Sequence, residues 1–230
     1  MTPIVEVIAC SLTDAIEAER GGAGRLEIVS ELKRGGLTPS RDLVAEIKQR
    51  VGIPVRVMLR ESDGFGTAGD SEIDRLCAAA ERFASLEVDG FVLGFLKHGE
   101  VDVALTQRVL AHAPSTRATF HHAFEAAQDE SNALIAIKRL PQVDRVLSHG
   151  GTDGLDLRVQ RLKQYAAIGA PELIVVAGGG INDNAISRIS CETKIREFHV
   201  GRAARSEFQV EGSVQASLVR ALVNTLNQQP

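Results

Sequence analysis

The chain is short of cysteine. Cys10, Cys77 and Cys191 lie far apart among 230 residues, odd in number and without C-x-x-C spacing. That excludes a disulfide framework and fits a reducing compartment, with two of the three reading as small core residues. Excess positive charge is also missing. Lys and Arg number 26 against 30 Asp and Glu, giving a net charge of −4, and the basic residues are scattered. Without a basic patch, nucleic acid and acidic membrane surfaces are not expected partners. No apolar run approaches the ~20 residues of a bilayer-spanning helix, and no charged and apolar leader begins at Met1, so a cytoplasmic placement is expected. Low-complexity tracts and Pro/Gly/Ser-rich linkers are absent too, leaving one expected domain over residues 1–230.

Several reaction classes fall away for the same kind of reason. There is no Gly-x-Ser-x-Gly elbow for a hydrolase nucleophile and no Gly-x-x-x-x-Gly-Lys-Ser/Thr loop for a nucleoside triphosphate. The six lysines, Lys33, Lys48, Lys97, Lys138, Lys163 and Lys194, fall outside every expected strand. A Schiff-base aldolase is therefore not expected.

What is present is one unit repeated. A short β-rich apolar run ends in a polar or glycine-rich loop, and an amphipathic stretch follows. The runs expected as strands are Ile4–Ile8, Arg25–Val29, Pro54–Leu59, Gly90–Leu93, Arg117–Phe120, Asp144–Leu147, Glu172–Val176 and Glu197–Val200. Their starts are roughly 20–36 residues apart, enough for a crossover helix between parallel neighbours. Ser11 and Asp14, Ser40, and the stretch Ser71-Glu72-Ile73-Asp74 read as helix starts, and Gly21-Gly22 reads as a stop. Apolar stripes at helical spacing follow: Ile73, Leu76, Cys77, Ala80 and Phe83; Leu155, Val159, Leu162 and Ala166; Val214, Leu218, Leu222 and Leu226. Eight such units predict an α/β fold, a single (β/α)8 TIM-like barrel, since an open doubly wound sheet would keep free edges.

In a barrel of this kind, chemistry gathers at the carboxyl ends of the strands. Glu6 and Glu27 occupy matching places on the first two strands, so one is expected to have a raised pKa or an arginine partner. Arg56 and Arg60 are the candidate cations, and the group reads either as a structural ion-pair network or as a catalytic one. His121, at the end of the fifth strand beside His122 and Glu125, is the candidate general acid or base. Glu197 and His199 offer a second such pair on the eighth. Three glycine-rich loops read as anion-binding: Gly150 and Gly151 after Ser148-His149, then Gly178, Gly179 and Gly180, then Gly201 with Arg202, where Arg205 adds charge. The expected partner is a small anionic ligand.

These motifs also resemble a known family. Glu6, Arg25-Leu26-Glu27, Gly35-Gly36-Leu37-Thr38-Pro39-Ser40, the strand ending in Arg60, Thr119-Phe120-His121-His122-Ala123-Phe124-Glu125, Arg145-Val146-Leu147-Ser148, Ala177-Gly178-Gly179-Gly180-Ile181 and Glu197-Phe198-His199 occur in the order of the copper homeostasis protein family CutC. The resemblance covers nearly the whole chain. It implies a TIM-like barrel, a cytosolic homo-oligomer, and participation in copper homeostasis, with copper binding attributed to cysteines in some members. Val29 stands where such a cysteine is common, and Cys10 is the only candidate soft ligand near the mouth. Arg60-Glu61-Ser62 replaces the family's Arg-Pro-Arg, and His122 replaces an arginine. Two functions follow: copper homeostasis by resemblance, or a metal-independent enzyme performing isomerase or lyase chemistry on a small phosphorylated or carboxylated metabolite.

Overall fold

The computed structural model describes residues 2–229. Its strands are β1 (Ile4–Ala9), β2 (Arg25–Ile28), β3 (Val55–Met58), β4 (Gly90–Leu93), β5 (Leu96–Lys97), β6 (Glu100–Val101), β7 (Arg117–Phe120), β8 (Val143–Ser148), β9 (Ile174–Ala177) and β10 (Glu197–Val200). The helices are α1 (Leu12–Gly21), α2 (Arg41–Arg50), α3 (Asp70–Ala84), α4 (Val103–Leu110), α5 (Glu130–Lys138), α6 (Leu155–Gly169), α7 (Asp183–Thr193) and α8 (Ala216–Asn227). Eight parallel strands close in the order β1-β10-β9-β8-β7-β4-β3-β2, with the helices between them. This is the expected barrel. Among the described residues no helix is long and apolar enough to cross a membrane.

Alternation along the strands produces two interiors. One set of side chains, including Val5, Val7, Leu26, Ile28, Val55, Val57, Phe91, Phe120, Phe198 and Val200, belongs to the large apolar core shared with the helices. The other set points into the barrel. There Glu6, Arg25, Glu27, Arg56, Thr119, Glu197 and His199 are all buried. Two residues further along their strands, Val29, Met58 and Val92 form a small apolar cluster against which Ile8, Cys10 and Leu32 pack. The charged layer thus lies below an apolar collar near the mouth.

Local signals place most of the helix ends. Ser11 and Ser40 accept hydrogen bonds from the Asp14 and Leu43 amides, and Gly22 closes α1 with φ of 92°. Four expectations need correction. Ser71-Glu72-Ile73-Asp74 does not cap α3, which begins one residue earlier behind Gly69. Buried Glu72 instead accepts from Ser62 Oγ and the Ala68 amide, tying the preceding loop to the helix. The strand expected from Glu172 starts at Ile174, because the Glu172 side chain sits in solvent opposite Lys138. The α8 stripe is Val219, Leu222 and Leu226, with Val214 buried ahead of the helix. Only Cys77 of the three cysteines is buried, Cys10 being intermediate and Cys191 exposed. The β5–β6 hairpin was not foreseen, since two-residue strands are too short to show a period. Its turn residues His98 and Gly99 both have positive φ, as a tight hairpin turn requires.

Candidate functional site

The barrel interior is wired from Arg25. Its guanidinium donates to Glu6 through Nε and to Glu197 Oε2 through Nη2 at 2.7 Å. Glu197 also accepts a two-pronged grip from Arg145, at 2.8 and 2.9 Å. Arg145 reaches Asp144, whose carboxylate takes Arg56 Nη2 at 2.9 Å, while Arg56 Nη1 donates to Thr119 Oγ1 at 2.6 Å. Buried charges are tolerable only when paired in this way. Glu6, Glu27, Glu197 and Asp144 face Arg25, Arg56 and Arg145, so the carboxylates outnumber the permanent cations by one. A proton held on His199 or Glu27 restores the balance.

Those two groups form the corner of the network nearest the mouth. His199 Nδ1 lies 2.8 Å from Glu6 Oε1, and its Nε2 lies 3.3 Å from Glu27 Oε2. Burial raises the Glu27 carboxyl to about 7, with nearby Glu6 adding to the effect and His199 and Arg25 opposing it. For Glu6, burial acts in the same upward direction but is outweighed by Arg25 and His199, which hold it far below the usual range. The His199 imidazole is raised: burial works against its charge, but Glu27 and Glu6 more than compensate. Glu27 and His199 therefore titrate as a linked pair, both shifted towards holding a proton. Glu27 Oε1 is buried and has no hydrogen-bond partner among the described residues. One ligand atom from each of Glu6, Glu27 and His199 falls within 4.8 Å of the others, the one such grouping found among the described residues.

Arg60 and His121 do not join this corner. Arg60 lies beyond the end of β3 and donates to the carbonyls of Gly64, Arg34 and Gly36, with its guanidinium over Phe65. It staples two loops instead of neutralising a carboxylate. The cation partnering Glu6 is Arg25, two residues before Glu27 on the same face, and that alternation was the available signal. His121 Nδ1 accepts from the Ala123 amide at 3.2 Å, and burial with its neighbours His122 and Arg60 holds the ring neutral, well below its usual pKa. Beside it, His122 stacks on His149 at 4.4 Å between ring centroids. Burial pushes His122 down to about 3, helped by His149 and His199.

The glycine-rich loops divide. The amides of His149, Gly150 and Gly151 and the Ser148 hydroxyl all donate to the Glu125 carboxylate, so Gly150 and Gly151 are filled from within the chain. Gly178 donates to the Ser148 carbonyl. Gly179, Gly180, Gly201 and Arg202 line a cavity of about 230 Å³ with His149, His199, Ile8 and Leu32. Arg205 is not free to add charge there, because it is buried and donates to Ile8 O, Gly212 O and Asp14. Cys10 opens on a neighbouring cavity with Asp14 and Arg205. Burial raises its thiol, Asp14 adds to this, and Arg205, 3.7 Å away, only partly offsets it.

With this geometry in hand, similarity to known proteins can be placed on it. The CutC family model matches residues 3–204. A human copper homeostasis protein cutC homolog is 36% identical over 201 residues, covering 85% of this chain and 72% of that protein. A CutC family protein of Xylella fastidiosa strain Temecula1 is 32% identical over 203 residues, covering 88% and 75%. The crystal structure of a copper homeostasis protein CutC from Streptococcus agalactiae superposes with a TM-score of 0.80 at 25% identity, covering 86% of this chain and 98% of that one. Phosphoribosyl anthranilate isomerase from Thermococcus kodakaraensis, at 15% identity and TM-score 0.66, covers 99% of this chain and 100% of its own and shares the fold. A family match over residues 3–204, with relatives more than 30% identical over most of both chains, places the chain in the CutC family.

Proposed function

We propose that this chain acts in copper homeostasis, as the names of its relatives record for them, by taking copper as cargo in the divalent state inside the barrel, just below the mouth. The observation that carries the reading is the grouping of Glu6, Glu27 and His199, in which Glu27 Oε1 has no other partner. Imidazole and carboxylate donors suit Cu(II), whereas Cu(I) favours two or more sulfur ligands. Cys10 is a thiol whose ionisation is disfavoured, while Met58 packs in the apolar collar. Glu6 fixes the His199 ring through Nδ1, leaving Nε2 and Glu27 to face an ion. A carboxylate that orients a metal-ligating histidine in this way strengthens it as a donor. The reading carries with it a cytosolic homo-oligomer, to be checked by fractionation and light scattering.

Calorimetry and electron paramagnetic resonance with Cu(II) test it. Stoichiometric binding with a nitrogen-and-oxygen spectrum is expected, weakened about 10–100-fold in Glu6→Gln and lost in His199→Ala. Cys10→Ala should leave it intact. Tight Cu(I) binding that disappears in Cys10→Ala, or no copper binding at all, would overturn the divalent site.

One observation favours a second reading. The Glu27 carboxyl, raised to about 7 beside His199, suits general acid–base catalysis of an isomerisation or elimination, which operates best with a group titrating near neutrality. Turnover of a small phosphorylated or carboxylated compound by protein held in chelator, abolished in Glu27→Gln, would establish it.

A further inference from the structure

The cavity beside His199 is bounded by a glycine turn whose peptides are oriented by Arg158. Arg158 Nη2 donates to the carbonyls of both Gly178 and Gly179, and its Nε donates to the His149 carbonyl at 2.7 Å. In a trans peptide the C=O and the next N–H point in opposite directions. Gripping those two carbonyls therefore turns the amides of Gly179 and Gly180 away from Arg158. Arg158 is not part of the cavity wall, whereas Gly179 and Gly180 are. Both glycines have positive φ, 71° and 64°, which produces the concave run of amides that accepts an anion. A methyl group at Gly179 would meet the His149 ring at 2.8 Å, so the turn has little room for any other residue.

The amides concerned are unspent. Among the described residues, those of Gly179, Gly180, Gly201 and Arg202 donate no backbone hydrogen bond. The loop one strand away shows what such amides take when an anion is near, since Glu125 fills it. Among the described residues no side chain does the same here. The exposed Arg202 guanidinium stands at the rim and forms no ion pair among the described residues. His199 lines the cavity, and its Nε2 lies 3.3 Å from the buried Glu27 carboxylate, so the imidazole is the polar side chain that a ligand meets beyond the glycine turn. At about 230 Å³ the space is below the usual size of drug-like pockets. It suits a phosphate group carrying only a few further atoms.

We propose that this cavity binds a small phosphate monoester, its phosphoryl oxygens on the amides of Gly179, Gly180 and Gly201 and against Arg202, with its remaining atoms directed at His199. The phosphoryl cradle is separate from the copper ligands, and the proposal deepens the acid–base reading by naming its substrate class; binding measured in chelator without turnover keeps its failure distinguishable from the failure of that reading.

The test is equilibrium binding to the full chain in chelator, followed by calorimetry and by thermal shift. The probes are inorganic phosphate, glycerol 3-phosphate and, as the uncharged control, glycerol. Saturable binding of both phosphates and none of glycerol is expected, with a thermal shift that grows as the logarithm of concentration. Tighter binding of glycerol 3-phosphate would assign the site to a monoester, and equal binding would assign it to free phosphate and overturn the monoester. Arg202→Ala, an exposed change that leaves the fold alone, should weaken binding about tenfold by removing a charge-assisted contact. Arg158→Leu should abolish it, with near-native circular dichroism showing that only the turn has changed. Lys33→Ala, whose side chain pairs with Glu211 on the surface, should bind like the wild type. No binding of either phosphate, or binding left unchanged by Arg202→Ala and Arg158→Leu together, would overturn the proposal.

Discussion

The floor and the corner of the barrel interior are built from the same residue types and behave differently. On the floor, Arg25, Arg145 and Arg56 satisfy Glu197 and Asp144 through several hydrogen bonds each, and burial is matched by fixed opposite charge. Arg145 and Asp144 are also partly open to solvent, which softens the desolvation there. At the corner, Glu27 has only His199 beside it and one oxygen without a partner. The floor is fixed in charge, and the corner changes charge near neutral pH. A carboxylate left short of cations while its neighbours are fully paired is a site at which a ligand, a metal or a proton makes an energetic difference.

The largest way to break this comparison is Arg25→Leu, which leaves Glu6 with His199 alone and removes one of the two arginines on Glu197. A loss of about 3–5 kcal/mol is expected, read as a fall of roughly 10 °C in Tm and as an earlier urea midpoint. A smaller effect of opposite sign should follow Glu27→Gln. Because the folded carboxyl titrates at about 7 against an ordinary 4.5, the folded state holds this proton more tightly than the unfolded chain does. Its contribution to stability is complete at low pH and is lost as the pH rises towards 7. The raised His199 acts in the same direction. Glu27→Gln should therefore stabilise by about 3 kcal/mol at pH 8 and by less than about 1 kcal/mol at pH 5. Thermal melts at the two pH values check the crossover, and equal effects at both would remove Glu27 as the titrating group.

Cu(II) affinity offers a sharper probe of the corner. An ion must displace the Glu27 proton, so affinity should fall up to about tenfold for each pH unit below 7, and Glu27→Gln should remove that component. Asp144→Asn is the mildest test. Asp144 is partly exposed and Arg145 keeps Glu197, so the cost is expected to stay within about 1 kcal/mol. A cost as large as that of Arg25→Leu would mean that the floor behaves as one indivisible unit.

Much of the corner was legible because strand alternation is short-range. Glu6, Glu27, Glu197 and His199 alternate with apolar residues along their strands, and period two puts them on the face opposite Val5, Leu26 and Phe198. The same rule contained the signal for Arg25, whose role was missed because its spacing to Glu27 says nothing of Glu6 and Glu197. Arg60 illustrates the converse error. It shares the parity of Arg56, but it lies past the last residue of β3, where parity no longer sets direction. The glycine loops could be counted but not distinguished. That Glu125 closes one and Arg158 orients another depends on residues 25 and 20 positions away, brought close by the turn of the barrel.

The sequence by itself determined the barrel, the number of its strands and the two faces of each, because these follow from hydrophobic period and from crossover length, both local properties of the chain. Only the tertiary structure decided which charges meet. Arg25 and Glu197 are 172 residues apart, and no local pattern encodes that distance. Closing the sheet brings the first and last strands side by side and places the arginine between two carboxylates. The same closure leaves Glu27 with one oxygen unsatisfied.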